Sequence, residues 1–125
     1  MRALVAFAVA LVFVVDASAA RRPTPRDRAA IVLAVANQVQ RENPVILIRI
    51  DRIVVSTVQP GPGAPFARFA IAFTPGNMAL LGFYPSAKDW FAQSYGSKRT
   101  VCQTRASRFG GRGTAILRDL GLTCP

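Results

Sequence analysis

The stretch FARFAIAFTPGNMALLGFY, residues 66–84, decides the fold of this chain. Its first part, residues 66–74, alternates large and small side chains with the period of a β-strand. The dipeptide Pro75-Gly76, followed by Asn77, turns the chain, and residues 78–84 form a second apolar run. The pattern therefore predicts two antiparallel strands joined by a tight turn. The residues expected on one side of the first strand are Ala67, Phe69, Ile71 and Phe73.

Two further strands are expected, one on each side of this hairpin along the chain. Residues 45–58 are rich in β-branched side chains and predict a long strand. The apolar positions of that strand change parity at Asp51-Arg52, which indicates a bulge or a break. Residues 59–65, QPGPGAP, predict a turn, because no ladder can cross so many prolines and glycines. Residues 90–97, WFAQSYGS, predict a fourth strand.

The residues before the sheet predict a helix. Thr24 has the character of an N-cap, and Pro25 suits the first helical position. The helix is expected to run through residues 26–43, where Asn43-Pro44 stops it. Its apolar side chains recur at helical spacing and predict one buried face. The members of that face are Ile31, Val32, Val35, Ala36 and Val39.

The end of the chain predicts a short helix. Residues 114–122 can form two helical turns, with Ile116, Leu117 and Leu120 facing inward and Gly121 as the stop. A helix, then a run of strands, then a helix is the order of an α+β fold. We expect the N-terminal helix to pack on a curved, three- to four-stranded antiparallel sheet, whose apolar face needs such a cover.

The two cysteines, Cys102 and Cys124, are expected to form a disulfide that ties down the short C-terminal helix. Two cysteines in an exported chain pair because the compartment is oxidising. Closing a loop of about 22 residues stabilises the fold by about 3 kcal/mol in the loop-entropy treatment. The alternative is a reactive thiol activated by neighbouring cations. That alternative lacks a base, because the chain contains no histidine.

The first 19 residues are expected to be a signal peptide. Arg2 precedes an unbroken apolar run over residues 3–15, and Ala17 and Ala19 frame an A-x-A cleavage site. An uncleaved signal anchor is the alternative, because the arginines beyond the cleavage site outnumber Arg2. Those arginines are Arg21, Arg22, Arg26 and Arg28.

The rest of the chain is expected to comprise a short arm and one domain. Residues 20–26 are basic, contain two prolines and predict a flexible arm, and residues 27–125 have the size of a single α+β domain. We expect a secreted or cell-envelope (periplasmic) protein with no stable membrane span after cleavage of the signal.

Positive charge is the strongest indication of function. The sequence carries 16 Lys and Arg against 6 Asp and Glu, a formal net charge of +10. Such a field attracts polyanions: cell-envelope polymers, anionic lipid headgroups or nucleic acid. Nucleic acid is the least favoured of these, because an exported protein rarely meets a genomic target. The alternative is that the arginines only keep the protein soluble. The candidate anion-binding residues are Arg49, Arg52, Lys98, Arg99, Arg105, Arg108 and Arg112.

Catalytic chemistry finds little support in the sequence. Hydrolase triads need histidine or an equivalent base, and the chain has none. Asp51 stands between Arg49 and Arg52, which is typical of a solvated charge cluster. Two cysteines and scattered carboxylates do not supply a metal site, and the glycine-rich segments lack the strand-to-helix setting of a phosphate loop. We expect no enzyme activity and no cofactor.

A set of residues in the C-terminal half resembles a recurrent pattern in small secreted proteins of actinobacteria. The pattern comprises Trp90, Gly96-Ser97, Cys102, the AILRDL of residues 115–120, and Cys124. Those proteins also have an N-terminal helix and strands like IRIDRIVVST and FARFAIAF, so the resemblance covers most of the mature chain. It implies a cystatin-like or nuclear-transport-factor-2-like helix-on-sheet fold and implies no activity. The QPGPGAP turn and the glycines of FGGRG depart from the pattern.

Two functional hypotheses follow. The first is a secreted, non-catalytic module that binds an anionic surface, polymer or protein partner. The second is a secreted enzyme inhibitor or small enzyme that uses the sheet face or the 59–65 hairpin. Pro60 and Pro62 stand where the inhibitory QxVxG loop of cystatins has strand-forming residues. A pocket of convergent polar groups would favour the second hypothesis. A sheet face filled by Phe69, Phe73, Phe83 and Trp90 would count against it.

Overall fold

The structure is a computed structural model that describes residues 21–42 and 49–125. The expected signal peptide, Ala20 of the predicted arm, and residues 43–48 lie outside this range. The expected helix stop at Asn43-Pro44 and the first part of the predicted strand at 45–58 therefore also lie outside it. Within the described residues, no helix has the length and apolar character to cross a membrane.

The hairpin that opens the sequence forms the centre of the sheet. Strands β2 (Arg68–Thr74) and β3 (Asn77–Tyr84) pair antiparallel over their whole length, with Thr74 opposite Asn77. The loop between them is Pro75-Gly76, and Gly76 has a φ of 76°, in the left-handed region that glycine adopts without strain. The two predicted strands and their turn are confirmed, with bounds shifted by one or two residues.

Strand β1 (Arg52–Val55) is much shorter than the predicted strand at 45–58, which is confirmed at residues 52–55 and wrong at residues 49–51 and 56–58. The predicted bulge or break at Asp51-Arg52 is the point where the strand begins, and not a bulge within it. The Ser56 N–H still bonds the Phe69 carbonyl at 2.9 Å. Beyond it the Thr57 N–H turns to the carboxylate of Asp119 at 2.9 Å, which Ser56 Oγ also contacts at 2.7 Å. Side-chain capture of backbone groups competes with strand pairing in this way.

Strand β4 (Asp89–Gly96) pairs with β3 and completes an antiparallel sheet that has four strands in the described part of the chain, in the order β1-β2-β3-β4. The register shifts between Leu80 and Leu81, where β4 carries an extra residue. The predicted α+β class is confirmed. The predicted curvature is not confirmed, since the sheet is not strongly curled.

Helix α1 (Pro25–Glu42) covers one face of the sheet. Its N-terminus is capped as predicted, because Thr24 Oγ1 accepts a hydrogen bond from the Asp27 N–H at 3.1 Å. The predicted apolar face is correct for three of its members and wrong for Val32, which is 38% exposed. On the sheet side of this contact, three alanines of β2 and β3 lie among larger apolar residues. The buried residues on the two sides of this contact include Ile31, Val35, Val39, Ala70, Ala72 and Ala79.

The other face of the sheet is covered by the C-terminal segment, residues 98–125. The sequence predicted the short helix in this segment but not that the segment covers the sheet. This segment contains α2 (Lys98–Cys102), a 3₁₀ helix (Ala106–Phe109) and α3 (Gly113–Asp119). The ring of Phe109 lies 4.7 Å from that of Phe69 on β2. The sheet is therefore the middle layer of three, and both of its faces are covered. The buried residues of this second core are Phe69, Ile71, Leu80, Val101, Phe109, Ile116, Leu117, Leu120 and Leu122.

The four aromatic residues that would have counted against the second hypothesis by filling one face of the sheet are divided between its two faces. Phe69 and Phe73 face the C-terminal segment, whereas Phe83 and Trp90 face α1. Phe83 and Trp90 make an edge-to-face contact at 5.5 Å. Successive residues of a strand point to opposite faces of the sheet. In the register Phe83 lies opposite Arg68, the neighbour of Phe69, and Trp90 lies opposite Phe83. Phe83 and Trp90 therefore point to the face opposite to that of Phe69.

The C-terminal helix is fastened at its end by a backbone termination and by a disulfide. Leu120 caps α3, Gly121 has a φ of 92°, and the Leu122 N–H bonds the Leu117 carbonyl at 2.8 Å. This is a Schellman termination, so the predicted stop at Gly121 is confirmed. The predicted disulfide between Cys102 and Cys124 is also confirmed, with an S–S distance of 2.07 Å and a Cα–Cα distance of 5.7 Å.

The two glycine-rich segments, QPGPGAP and FGGRG, cross each other. Gly61 is buried, and its N–H donates to the Phe109 carbonyl at 2.9 Å. A Cβ on Gly61 would fall inside the van der Waals radius of the Gly110 carbonyl oxygen, and a Cβ on Gly110 would meet Gly61 in the same way. The glycines are therefore required by backbone packing. The tip of the predicted 59–65 hairpin leaves Pro62 and Gly63 exposed and anchors Gly61 on the C-terminal segment.

Candidate functional site

The structure divides the seven predicted anion-binding residues between two regions. Arg49 and Arg52 lie at β1, one edge of the sheet. The other five lie in residues 98–112, whose first helix, α2, packs against β3 and β4. Because β1 and β4 are opposite edges of the sheet, the seven cations do not form one continuous site. The five members of the second group are Lys98, Arg99, Arg105, Arg108 and Arg112.

The two cations at β1 are already engaged. Arg49 pairs with Asp51 at 2.9 Å in an exposed ion pair. The guanidinium of Arg52 lies over the ring of its cross-strand partner Phe73, 4.4 Å from the ring centre. Exposed pairs of this kind contribute little to stability, but they occupy the groups that a ligand would need. We therefore place the candidate site at the other edge of the sheet.

A shallow, open groove of about 390 Å³ lies between β4 and the first part of the C-terminal segment. Two of the predicted cations, Arg105 and Arg108, line it, and neither pairs with a carboxylate among the described residues. The rest of its lining is neutral and polar, and no acidic or aromatic side chain belongs to it. Those neutral residues are Gln93, Ser94, Thr100, Gln103 and Thr104.

One wall of the groove orients Arg108. The side chain of Gln93 on β4 donates from Nε2 to the Phe91 carbonyl at 3.1 Å. Its Oε1 accepts a hydrogen bond from a guanidinium nitrogen of Arg108. The backbone of the edge strand therefore fixes the amide, and the amide fixes one face of the guanidinium. An arginine head group has five N–H donors, and the bond to Gln93 does not use all of them, so Arg108 keeps donors for a ligand.

The floor of the groove holds a pair of hydroxyl groups. Thr104 Oγ1 donates to the Val101 carbonyl at 2.8 Å, and Ser94 Oγ lies 3.4 Å from Thr104 Oγ1. Because the Thr104 proton is directed to Val101, the Ser94 hydroxyl is the donor in this pair. The lone pairs of Ser94 then remain available as acceptors. Gln103, which is exposed, has no side-chain hydrogen bond among the described residues.

The fold keeps this wall of the groove in place through α2. Ser97 is the N-cap of α2, and its side chain accepts from the Thr100 N–H. Val101 is fully buried against the sheet, and Cys102 at the end of the helix is bonded to Cys124. A five-residue helix has little stability of its own. The cap, the buried valine and the disulfide supply what the short helix lacks.

The remaining predicted cations lie outside the groove. Lys98 and Arg99 are exposed on α2, and Arg112 reaches back to the Gln59 carbonyl at 3.4 Å. None of these three pairs with a carboxylate in the part of the chain that the structure describes. Arg112 thus lies beside the glycine crossing, and residues 98–112 as a whole carry five cations.

A second cavity, of about 250 Å³, lies at the start of α1 and was missed in the sequence. Asp27 accepts a hydrogen bond from Trp90 Nε1 at 3.1 Å and pairs with Arg68 at 3.5 Å. The guanidinium of Arg68 stacks on Phe83 at 4.0 Å, and its Nε is buried without a partner. The sequence held one indication of this cluster: Arg68 stands between aromatic residues in a strand that is otherwise apolar.

The carboxylates serve the fold. Asp119 is half-buried and accepts hydrogen bonds from Ser56 and Thr57, as described above. Asp27 is held by Trp90 and Arg68. Within residues 21–42 and 49–125, no group of three or more potential metal ligands comes together.

A scan of protein-family models, a search of curated proteins and a search of solved structures each returned no match to this chain. The groove and the charge around it are therefore the features of the molecule that bear on its function.

Proposed function

We propose that this chain is a small, non-catalytic module that acts outside the cytoplasm and binds an anionic surface, polymer or protein partner through residues 98–112. The observation that carries the proposal is the charge of this segment. Five cations lie there, and none of them pairs with a carboxylate among the described residues. Clustered, unpaired cations create a field that attracts polyanions and raises their local concentration.

Two structural features support this proposal. Arg105 and Arg108 line a shallow, open groove, which suits a chain-like partner or a surface. The disulfide is consistent with an oxidising compartment. Nucleic acid stays the least favoured polyanion, because single strands bind largely by stacking on aromatic side chains and the groove lining contains none.

The experiment measures how strongly the oxidised protein is retained on a column whose matrix carries anionic groups. The quantity measured is the salt concentration at which the protein elutes. Arg105→Glu with Arg108→Glu is the test variant. Arg22→Glu with Arg28→Glu is the control, since both of its sites are exposed and the change in net charge is the same. We expect the test variant to elute at clearly lower salt than the control variant. The test variant has lost two cations of the binding surface, so less salt is needed to screen the contacts that remain. Equal elution of the two variants would show that net charge alone acts and would remove the site.

A small enzyme or a small-molecule binder is the second candidate. The observation that favours it is the cavity at the start of α1, where Asp27, Arg68 and Trp90 converge and Arg26 and Lys88 add two cations. We rank it lower, because the carboxylate in this cavity is already held by two neighbours. Binding of a small carboxylate or phosphate that is abolished by Lys88→Glu and unaffected by the Arg105 and Arg108 changes would reverse this ranking.

A further inference from the structure

We infer that the groove between β4 and residues 100–108 binds a polysaccharide that carries both hydroxyl and anionic groups. This inference rests on the proposed function and names the chemistry of its ligand. Its basis is the neutral lining of the groove, which a purely electrostatic site would not need.

The groove offers both hydrogen-bond donors and hydrogen-bond acceptors to a ligand. Arg105 and Arg108 supply donors, which any anion can use. Ser94 Oγ supplies an acceptor, because its own proton is directed to Thr104. The amide of Gln103 supplies both donors and an acceptor. Donors and acceptors therefore line the same groove.

The ligand must match these groups. A phosphate chain or a polycarboxylate presents oxygen atoms that accept hydrogen bonds, so the lone pairs of Ser94 Oγ would be left facing the lone pairs of such a ligand. Unpaired polar groups at a contact reduce affinity, because their hydration is lost and not replaced. A sugar hydroxyl both donates and accepts, and it can bond Ser94 or Gln103 while an anionic group on the same polymer bonds the arginines.

The shape of the groove also bears on its ligand. The groove has a volume of about 390 Å³, within the range of about 300–1,000 Å³ that ligand sites occupy. Gln93 and Ser94 of β4 line the groove together with the two arginines, and Gln93 contacts Arg108 directly. A polymer that lies along the groove can therefore present hydroxyls and charges to neighbouring groups of the same lining. A planar stacking surface for bases is missing from this lining.

The experiment compares two soluble polymers of similar length at equal carboxylate concentration. Polygalacturonate carries hydroxyls and one carboxylate on each sugar, and poly-L-glutamate carries the carboxylate without hydroxyls. Binding is measured by calorimetry or by fluorescence anisotropy at fixed salt. The wild-type protein is expected to bind polygalacturonate more tightly. Tighter binding of poly-L-glutamate would point to an acidic polypeptide partner and would overturn the inference.

The test variant is Ser94→Ala with Gln103→Ala, which changes no charge. Loss of two neutral hydrogen bonds is expected to weaken binding of polygalacturonate about tenfold and to leave poly-L-glutamate within about twofold of wild type. The matched control is Ser86→Ala with Gln40→Ala, both exposed and distant from the groove lining, and it should change neither affinity. Equal effects of the test variant on both polymers, or no effect on either, would overturn the inference.

The charge variant Arg105→Glu with Arg108→Glu separates this inference from the proposed function. If it weakens binding of both polymers while the Ser94 and Gln103 variant weakens neither, the anion site stands and the polysaccharide inference fails. If the charge variant weakens neither polymer, the proposed function itself fails. Circular dichroism of each variant shows whether the fold is intact.

Discussion

The two faces of the sheet are covered by different means. Over one face lies α1, a single helix of 18 residues with a regular apolar stripe. Over the other face lie α2, the 3₁₀ helix and α3, which have five, four and seven residues. A long amphipathic helix forms and packs with little further help, whereas helices of this shorter length are unstable alone. The C-terminal segment is accordingly fastened by a disulfide, a Schellman termination and a backbone crossing.

This difference bears on function, because the candidate groove belongs to the fastened side. Arg105 lies in the connection between α2 and the 3₁₀ helix, and Arg108 lies in the 3₁₀ helix itself. Short elements and the connections between them can present several polar groups to one space, provided that their neighbours are rigid. The fastenings of the C-terminal segment provide that rigidity. The first two predictions below remove one fastening each, and the third tests the α1 side.

The largest effect is expected for Gly61→Ala. The new Cβ would collide with the backbone of Gly110, which no side-chain rotation can relieve. We expect the free energy of unfolding to fall by more than about 4 kcal/mol, a size seen when a substitution strains backbone packing. Urea denaturation measures the change. Gly63→Ala is the control from the same loop: Gly63 has a φ of 85° but open space around it, so a loss of about 1 kcal/mol is expected. Losses of equal size would refute the crossing.

The next effect is expected for Cys102→Ser with Cys124→Ser. Removing this disulfide should lower the free energy of unfolding by about 3 kcal/mol, because the unfolded chain regains the freedom of a 22-residue loop. Hydrogen exchange should show the loss of protection first in residues 98–125, with α1 retained. Treatment of the wild-type protein with a reductant is the control and should reproduce both changes. Simultaneous loss of protection in α1 and in the C-terminal segment would mean that the two sides are not independent.

The sequence predicted the α1 side better than the C-terminal side, and the reason is physical. The stripe on α1, the hairpin at 66–84 and the cap at Thr24 are local patterns, which depend on residues close in sequence. The covering of the second face depends on residues that are distant in sequence, although the sequence held one indication of it. Strand β2 is apolar on both sides, with Phe69 and Ile71 on one and Ala70 and Ala72 on the other, as expected for a sheet covered on both faces.

The candidate site was predicted only in part, because some of its residues meet through contacts that are not local in sequence. The charges of Arg105 and Arg108 can be taken from the sequence, but the neutral wall that faces them cannot. Gln93 and Ser94 come from β4, and they meet residues 100–108 only because α2 packs back against that strand. The length of β1 failed as a prediction because Asp119, more than 60 positions away, takes the backbone N–H of Thr57.

The smallest effect is expected on the α1 side, at Asp27. Its carboxylate accepts from the indole N–H of Trp90, which is 2% exposed, and pairs with Arg68, which is partly exposed. Asp27→Ala leaves the buried N–H without a partner and should cost about 2 kcal/mol of unfolding free energy. Asp27→Asn keeps an oxygen acceptor for Trp90 and removes the negative charge, so it should cost about 1 kcal/mol, the upper end of the range for surface ion pairs, because this pair is partly buried. Thermal unfolding followed by tryptophan fluorescence measures both. Equal losses in the two variants would show that the ion pair with Arg68, and not the hydrogen bond to Trp90, fastens the start of α1 to the sheet.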